Sequence, residues 1–161
     1  MTLRRFLSAA GMAGLLAQLA SPPAGYQKSE VVSERATTLA MASEIWQQSD
    51  IESLPAVDDL VRQADAQIAS RKLDMAAEKL ERALRISPDY APAWSRLAHI
   101  ALAEADPGRA IQMARRSNSH AGDSVELKLL NWEYIRKASQ MLGDVEGARN
   151  ASESINTLRS L

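Results

Sequence analysis

Apolar residues recur along this chain at intervals of three and four positions, the spacing that places them on one face of an α-helix. From Ser29 to about Gln48, for example, Val32, Leu39 and Trp46 lie seven positions apart. Six further segments with this pattern begin near residues 57, 75, 91, 107, 124 and 145. The pattern therefore predicts an all-α protein, in which one amphipathic helix precedes six others.

Residues that start or stop helices lie at the boundaries between these segments. Pro88 stops one helix, because proline has no backbone N–H to donate. Asp106 and Asp144 are expected to cap the helices that follow them, by accepting hydrogen bonds from free N–H groups. Asp74 is expected to cap the third helix in the same way, and Gly143 is expected to end the sixth.

The segments also repeat in pairs with a fixed period, of about 34 residues. Three pairs of positions show this period: Leu60 and Trp94, Ala64 and Ala98, Ala76 and Ala110. In the last third of the chain the spacing lengthens, as from Ala110 to Ala148, which indicates about one inserted helical turn. A period of this length is typical of stacked helical hairpins, which bury their apolar faces against one another.

These residues resemble the tetratricopeptide repeat family, in which units of about 34 residues form helical hairpins. The resemblance covers residues 57–161 and implies three hairpins, 57–90, 91–124 and 125–161, stacked as a right-handed solenoid. The third hairpin departs from the family pattern, since Arg136 stands where a small residue is expected. The positions that carry the resemblance are Leu60, Ala64, Ala76, Leu80, Ala83, Pro88, Trp94, Leu97, Ala98, Ala110, Trp132 and Ala148.

The first part of the chain, residues 1–25, has the composition of an export signal. Arg4 and Arg5 precede an apolar run from Phe6 to Ala20, and prolines then break any helix. This run is shorter than the roughly 20 residues that a membrane-spanning helix needs. We therefore expect residues 1–25 to be a cleaved signal peptide or, alternatively, a retained N-terminal anchor. Residues 26–56 are expected to be an amphipathic helix with its linker, and the expected location is the periplasm or cell envelope.

Composition excludes several classes of function. The formal net charge of −1 gives no sign of a nucleic-acid partner. The chain has no cysteine, which excludes disulfides, thiol catalysis and zinc–thiolate sites. Its two histidines, His99 and His120, are not spaced with other residues in a way that predicts a catalytic triad or a metal site. We therefore expect no enzyme activity, no catalytic residues, no metal and no cofactor.

The resemblance implies that the first helix of each hairpin lines a concave groove that binds a peptide or protein. Charged and aromatic side chains on these helices suit charge-assisted hydrogen bonding around an aromatic anchor. The same residues are also consistent with a solvated helix face that carries ordinary salt bridges. The candidate partner-binding residues are Asp58, Arg62, Asp65, Arg96, His99, Glu133, Tyr134 and Lys137.

Two apolar features keep a second function open. The apolar stripe on the first helix, formed by Val32, Leu39 and Trp46, is typical of a helix that folds back on the repeats or of a coiled coil with a second copy. Ile155, Leu158 and Leu161 form an apolar C-terminal edge without a polar capping helix. The main prediction is a non-catalytic adaptor for a protein or peptide partner, with membrane contact only if the N-terminal segment is retained. The alternative is a structural homo-oligomer, at its simplest a homodimer, assembled through the first helix and the C-terminal edge.

Overall fold

The computed structural model describes residues 24–48, 51 and 53–161, with side chains described from Glu34 onward. The predicted signal peptide or anchor, residues 1–25, lies outside the described residues except for its last two positions. All regular secondary structure in the described residues is helical, as the sequence predicts. The helices are α1 (Ala24–Gln48), α2 (Pro55–Ala69), α3 (Leu73–Ile86), α4 (Ala91–Ala103), α5 (Pro107–His120), α6 (Val125–Leu142) and α7 (Val145–Arg159).

The chain divides into two units, and the larger one comprises residues 35–161. Within this unit, consecutive helices pair as hairpins: α2 packs against α3, α4 against α5, and α6 against α7. Neighbouring hairpins are joined by α3–α4, α5–α6 and α4–α6 contacts. This packing confirms the predicted array of three helical hairpins.

The same backbone turn joins the two helices of every hairpin. Arg71, Ala105 and Gly143 follow the ends of α2, α4 and α6, and each has a positive φ, of 58°, 59° and 70°. The residue after each of them donates its N–H to a carbonyl five positions back, as Asp106 does to Ala101 at 2.8 Å. This is the Schellman arrangement, which satisfies the last carbonyls of a helix. The third turn has glycine at the left-handed position, whereas the first two carry a side chain there at a conformational cost.

The predicted helix caps Asp106 and Asp144 are confirmed. Asp106 accepts a hydrogen bond from the third N–H of α5 at 3.0 Å, and Asp144 does the same for α7 at 2.8 Å. The prediction for Asp74 is wrong, because α3 begins one residue before it and Lys72 is the N-cap residue. Asp74 lies instead inside the first turn, where its negative charge complements the positive end of the helix dipole.

The core of the array lies where neighbouring helices cross, and most of the predicted repeat positions are there. The buried ones are Leu60, Ala64, Ala76, Leu80, Ala83, Leu97, Ala98 and Ala110. Alanine at a crossing lets two helices approach closely, since the distance between helix axes depends on the side chains at the contact. Pro88 is exposed, and Trp94, Trp132 and Ala148 are not fully buried. Trp94 donates its indole N–H to the carbonyl of Pro88 at 2.8 Å, which fixes it across the turn between α3 and α4.

The third hairpin keeps the lengthened spacing that the sequence predicts. Ala105 and Gly143 hold the left-handed turns of the last two hairpins, and Asp106 and Asp144 cap the helices that follow. At the same spacing Leu97 corresponds to the buried Ile135, and Trp94 corresponds to Trp132, both partly exposed. Arg136, which is partly exposed, stands at the position of the buried Ala98, so the departure from the family pattern remains at this helix crossing.

The apolar C-terminal edge contains only part of the residues expected there. Ile155 is buried, Leu158 is partly buried, and Leu161 is 90% exposed. Two further apolar side chains are exposed at the turn between α6 and α7, Leu142 at 55% and Val145 at 82%. The last hairpin therefore presents apolar surface at both of its ends.

Candidate interaction surface

The first helices of the three hairpins, α2, α4 and α6, bring a set of polar and aromatic side chains together on one side of the array. We call this surface the inner face. Its centre consists of Asp65 on α2, Ser95, Arg96 and His99 on α4, and Tyr134 on α6. Ser95 and His99 share one side of α4 because they are four positions apart. The inner face thus combines a carboxylate, a guanidinium, a hydroxyl group and two rings.

Arg96 is the charged centre of the inner face, and it is almost completely buried, at 2% exposure. Its guanidinium donates two hydrogen bonds to the carboxylate of Asp65, from Nε at 2.7 Å and from an Nη at 2.9 Å. A third hydrogen bond goes to the carbonyl of Pro92 at 3.1 Å. This two-pronged contact matches the planar geometry of arginine, and it fixes the hairpin of α4 to that of α2.

Trp46 of α1 covers this charged centre. Its indole N–H donates to the hydroxyl of Ser95 at 3.0 Å, and the guanidinium of Arg96 lies 4.7 Å from the centroid of its ring. The ring of His99 meets Trp46 edge-on, with centroids 5.5 Å apart and planes at 86°. Trp46 is 3% exposed. One side chain from outside the repeats therefore makes a hydrogen bond, a cation–π contact and an aromatic contact with the inner face.

His99 and Tyr134 form the wall of the site on the side of α6. Their ring centroids are 5.9 Å apart, and the Tyr134 hydroxyl is 3.5 Å from Nδ1 of His99. Burial, together with the nearby positive charge of Lys137, lowers the pKa of His99 to about 4. Burial also raises the pKa of Tyr134 above its usual value, although the charge of Arg96 acts in the opposite direction. Both rings are therefore uncharged at neutral pH, and the charges at the centre are those of Arg96 and Asp65.

The eight residues predicted to bind a partner divide into a centre and a rim. Asp65, Arg96, His99 and Tyr134 come together at the centre, as described above. The prediction that they face a partner directly needs correction for Arg96 and Tyr134, which are buried at 2% and 3% exposure. Trp46 lies over the guanidinium of Arg96, and Tyr134 belongs to the same buried cluster as Trp46. Sequence reasoning placed Trp46 on an apolar stripe but did not assign it to the site.

The remaining four candidates lie on the rim. Asp58 and Arg62 are exposed on α2, Lys137 is exposed on α6, and Glu133 is partly exposed. Two of these rim charges are paired along their own helices, in the contact between Arg62 and Asp59 and in the 2.7 Å bond from Arg136 to Glu133. Such exposed pairs contribute little to stability, so these charges are available for contacts with a partner.

A second concavity lies between α5, α6 and α7. It has a volume of about 600 Å³, and its walls include Trp132 of α6 and polar residues such as Asn118 and Asn150. Asn131 donates to the hydroxyl of Ser117 at 2.8 Å and to the Asn118 side chain at 2.9 Å, which ties α6 to α5 beneath this cleft.

The described residues hold neither a metal-binding cluster nor a membrane-spanning helix. They contain no group of three or more histidine or acidic side chains positioned to hold a metal ion. None of the described helices combines the length and apolar character needed to cross a membrane.

The hairpin array and its inner face define the class of this protein: a helical-repeat scaffold of the type that binds other proteins and is typically non-catalytic. Comparison with known families assigns it further, because residues 67–130 match the tetratricopeptide repeat. The chain belongs to the tetratricopeptide repeat family, as the sequence resemblance indicates.

A solved structure supports the same assignment. The chain is similar to the globular C-terminal domain of LpoP from P. aeruginosa, with 35% sequence identity and a TM-score of 0.61. The similarity covers 65% of this chain and 99% of the LpoP domain. No match was found among the curated proteins.

Proposed function

We infer that this protein is a non-catalytic adaptor of the cell envelope or periplasm that holds a protein or peptide partner on its inner face. The observation that carries this proposal is the occupation of the inner face by Trp46 through a hydrogen bond, a cation–π contact and an aromatic contact. A surface that binds one helix in this way has the chemistry to bind another. Fold class supports the non-catalytic assignment, since tetratricopeptide arrays typically serve as interaction modules.

Export is supported by the N-terminal sequence. Two arginines, the apolar run from Phe6 to Ala20 and a proline-containing break follow one another in the order found in signal peptides. Fractionation of cells that express a C-terminally tagged chain tests this part, with N-terminal sequencing of the recovered protein to distinguish a cleaved signal from a retained anchor. Recovery in the cytoplasm would contradict it.

The adaptor function is tested by crosslinking the tagged chain in its native cells and identifying the captured proteins. The variant should change the rim, because changes at the buried Arg96 or Tyr134 would disturb folding as well as binding. Arg62→Glu combined with Lys137→Glu reverses two exposed charges on either side of the site. Arg85→Glu on α3 is the matched control, since it reverses an exposed charge on a second helix.

A partner that the parent and the Arg85→Glu control capture, and that the rim variant loses, would support the adaptor. Equal capture by all three proteins would place the partner elsewhere on the array and contradict binding at the inner face.

A structural homo-oligomer is the second candidate, and the exposed apolar side chains at the ends of the last hairpin favour it. Leu142, Val145 and Leu161 are each more than half exposed. Leu39, Ala42 and Trp46 of α1, however, pack on the repeats of their own chain, so the C-terminal edge is the described surface that favours such an assembly. Sedimentation at increasing concentration tests it: a mass that rises in the parent, and not in a Val145→Glu variant, would favour the oligomer.

A further inference from the structure

The buried contact between α1 and the inner face involves few side chains. Of residues 34–48, Ala42 and Trp46 are buried, and Leu39 is partly buried on the same side of the helix. The spacing of three and then four positions places Leu39, Ala42 and Trp46 in one row along α1. Most of the other side chains of this segment are exposed, as Met41 is at 60%. The buried part of the attachment is therefore a short row that ends in one tryptophan.

The receiving surface is organised by the repeats themselves. The bond between Arg96 and Asp65 links α4 to α2, and the contact between His99 and Tyr134 links α4 to α6, without any part taken by α1. These links hold the guanidinium and the two rings through contacts between the hairpins themselves. Preorganisation of this kind reduces the entropy cost of binding.

The geometry recognises an indole specifically. The hydroxyl of Ser95 accepts the ring N–H of Trp46, which a phenylalanine ring could not donate. The guanidinium of Arg96 lies over the ring face, and tryptophan is the best aromatic partner for a cation. Nothing in these contacts requires the indole to come from the same chain.

We propose that the inner face is a tryptophan-recognition site, and that α1 is an internal occupant which a helix of the partner protein replaces. The partner helix carries the same row: a leucine, a small residue three positions later, and a tryptophan four positions after that. This inference rests on the proposed function of the inner face and names the chemistry of its partner.

As an internal occupant, α1 competes strongly with an external helix for the inner face. The short linker between α1 and α2 gives it an effective concentration in the millimolar range. An external helix therefore binds the parent weakly. Removal of Trp46 should raise the apparent affinity of the external helix for the inner face at least tenfold, since α1 then no longer competes for the site.

The test uses the full chain and a fluorescent peptide with the sequence of residues 34–48. Binding is measured by fluorescence anisotropy for the parent and for two variants that release α1 by different means. Trp46→Ala removes the indole, and Ala42→Arg places a long charged side chain at a buried position while keeping it. Met41→Ala, at an exposed position of the same helix, is the matched control.

A second measurement keeps every contact of the site in place. Since the chain has no cysteine, a Gln47→Cys change at an exposed position of α1 accepts a single spin label. An excess of the peptide should mobilise this label in an otherwise unchanged protein, and a peptide with alanine in place of tryptophan should not. This readout does not depend on whether the Trp46→Ala variant folds.

We expect the tryptophan peptide to bind Trp46→Ala and Ala42→Arg at least tenfold more tightly than it binds the parent or Met41→Ala. Equal binding of the tryptophan and alanine peptides, or no mobilisation of the label, would overturn the proposal. A mass that doubles with concentration in the Ala42→Arg variant would identify a second copy as the occupant, and it would equally overturn the partner helix. Capture of a partner in cells without peptide binding would leave the adaptor function standing and remove only this inference.

Discussion

The bond between Asp65 and Arg96 provides the sharpest test of how the inner face is built. The guanidinium of Arg96 is buried, with its side chain 3% exposed, and its charge is neutralised by two hydrogen bonds to one carboxylate. Asp65→Ala removes that carboxylate and leaves a buried positive charge without a counter-ion. A buried charge that loses its partner lowers the free energy of unfolding far more than an exposed charge that loses its partner.

The magnitude follows from the exposure of the two side chains. Loss of one partner from a fully buried pair costs about 3–5 kcal/mol of unfolding free energy. The side chain of Asp65 is 26% exposed, so water can enter the space that it leaves. Arg96 also keeps its bond to the Pro92 carbonyl and its contact with Trp46. We therefore expect a loss of about 2–3 kcal/mol, below the fully buried limit.

Urea unfolding at pH 7 measures this loss, provided that the slope m is unchanged between parent and variant. Asp59→Ala is the control, because Asp59 pairs with the exposed Arg62 and should lose no more than about 0.5 kcal/mol. Adding Arg96→Met to Asp65→Ala should restore part of the stability, since it removes the unpaired charge. A value for Asp65→Ala that equals the Asp59→Ala control would refute the reasoning.

Further predictions concern the same unit. Because burial and Lys137 lower the pKa of His99 to about 4, the unfolded chain binds this proton first as the pH falls. The stability contributed by neutral His99 is therefore complete above pH 6.5, and up to about 3 kcal/mol of unfolding free energy is lost as the pH falls towards 4. In urea unfolding across this range, the free energy of unfolding should fall less with pH for His99→Gln than for the parent. Ala105→Gly should raise the free energy of unfolding by about 0.5–1 kcal/mol, because the left-handed backbone at this turn disfavours a side chain. Gly143→Ala should lower it by about 1 kcal/mol for the same reason, as thermal unfolding would show. Trp94→Ala should cost about 2–3 kcal/mol in urea, less than the roughly 3–5 kcal/mol of a fully buried tryptophan, because Trp94 is partly exposed.

Much of the fold could be predicted because repetition makes local signals reinforce one another. The repeat spacing between Ala64 and Ala98 reflects the crossing of two helices, and both residues are buried at such crossings. Proline and aspartate marked the helix boundaries, since their effects act within one turn of backbone. Asp74 shows the limit of that reasoning. Which residue becomes the N-cap depends on where the preceding turn ends. This turn, in which Arg71 has a positive φ, ends at Lys72, and Lys72 is therefore the N-cap residue instead of Asp74.

The site was harder to predict, because burial depends on what covers a surface. Arg96 belongs to a residue type that is mostly exposed, and nothing on its own helix indicates that a tryptophan from a helix far earlier in the sequence lies over it. The apolar row of α1 was visible, and folding back on the repeats was one of its two interpretations. Its docking position was not visible, because that position depends on the indole meeting Ser95 and Arg96 together.

Stability and binding at the inner face are linked through Trp46. The free energy with which α1 holds Trp46 in place stabilises the folded chain, and an external helix must exceed that same free energy to enter. A substitution that releases α1 should therefore lower the melting temperature while raising affinity for the tryptophan peptide. Saturating peptide should in turn restore part of the lost stability, because a ligand that binds only the folded state stabilises it. A variant that loses stability without gaining affinity for the tryptophan peptide would contradict a displaceable occupant.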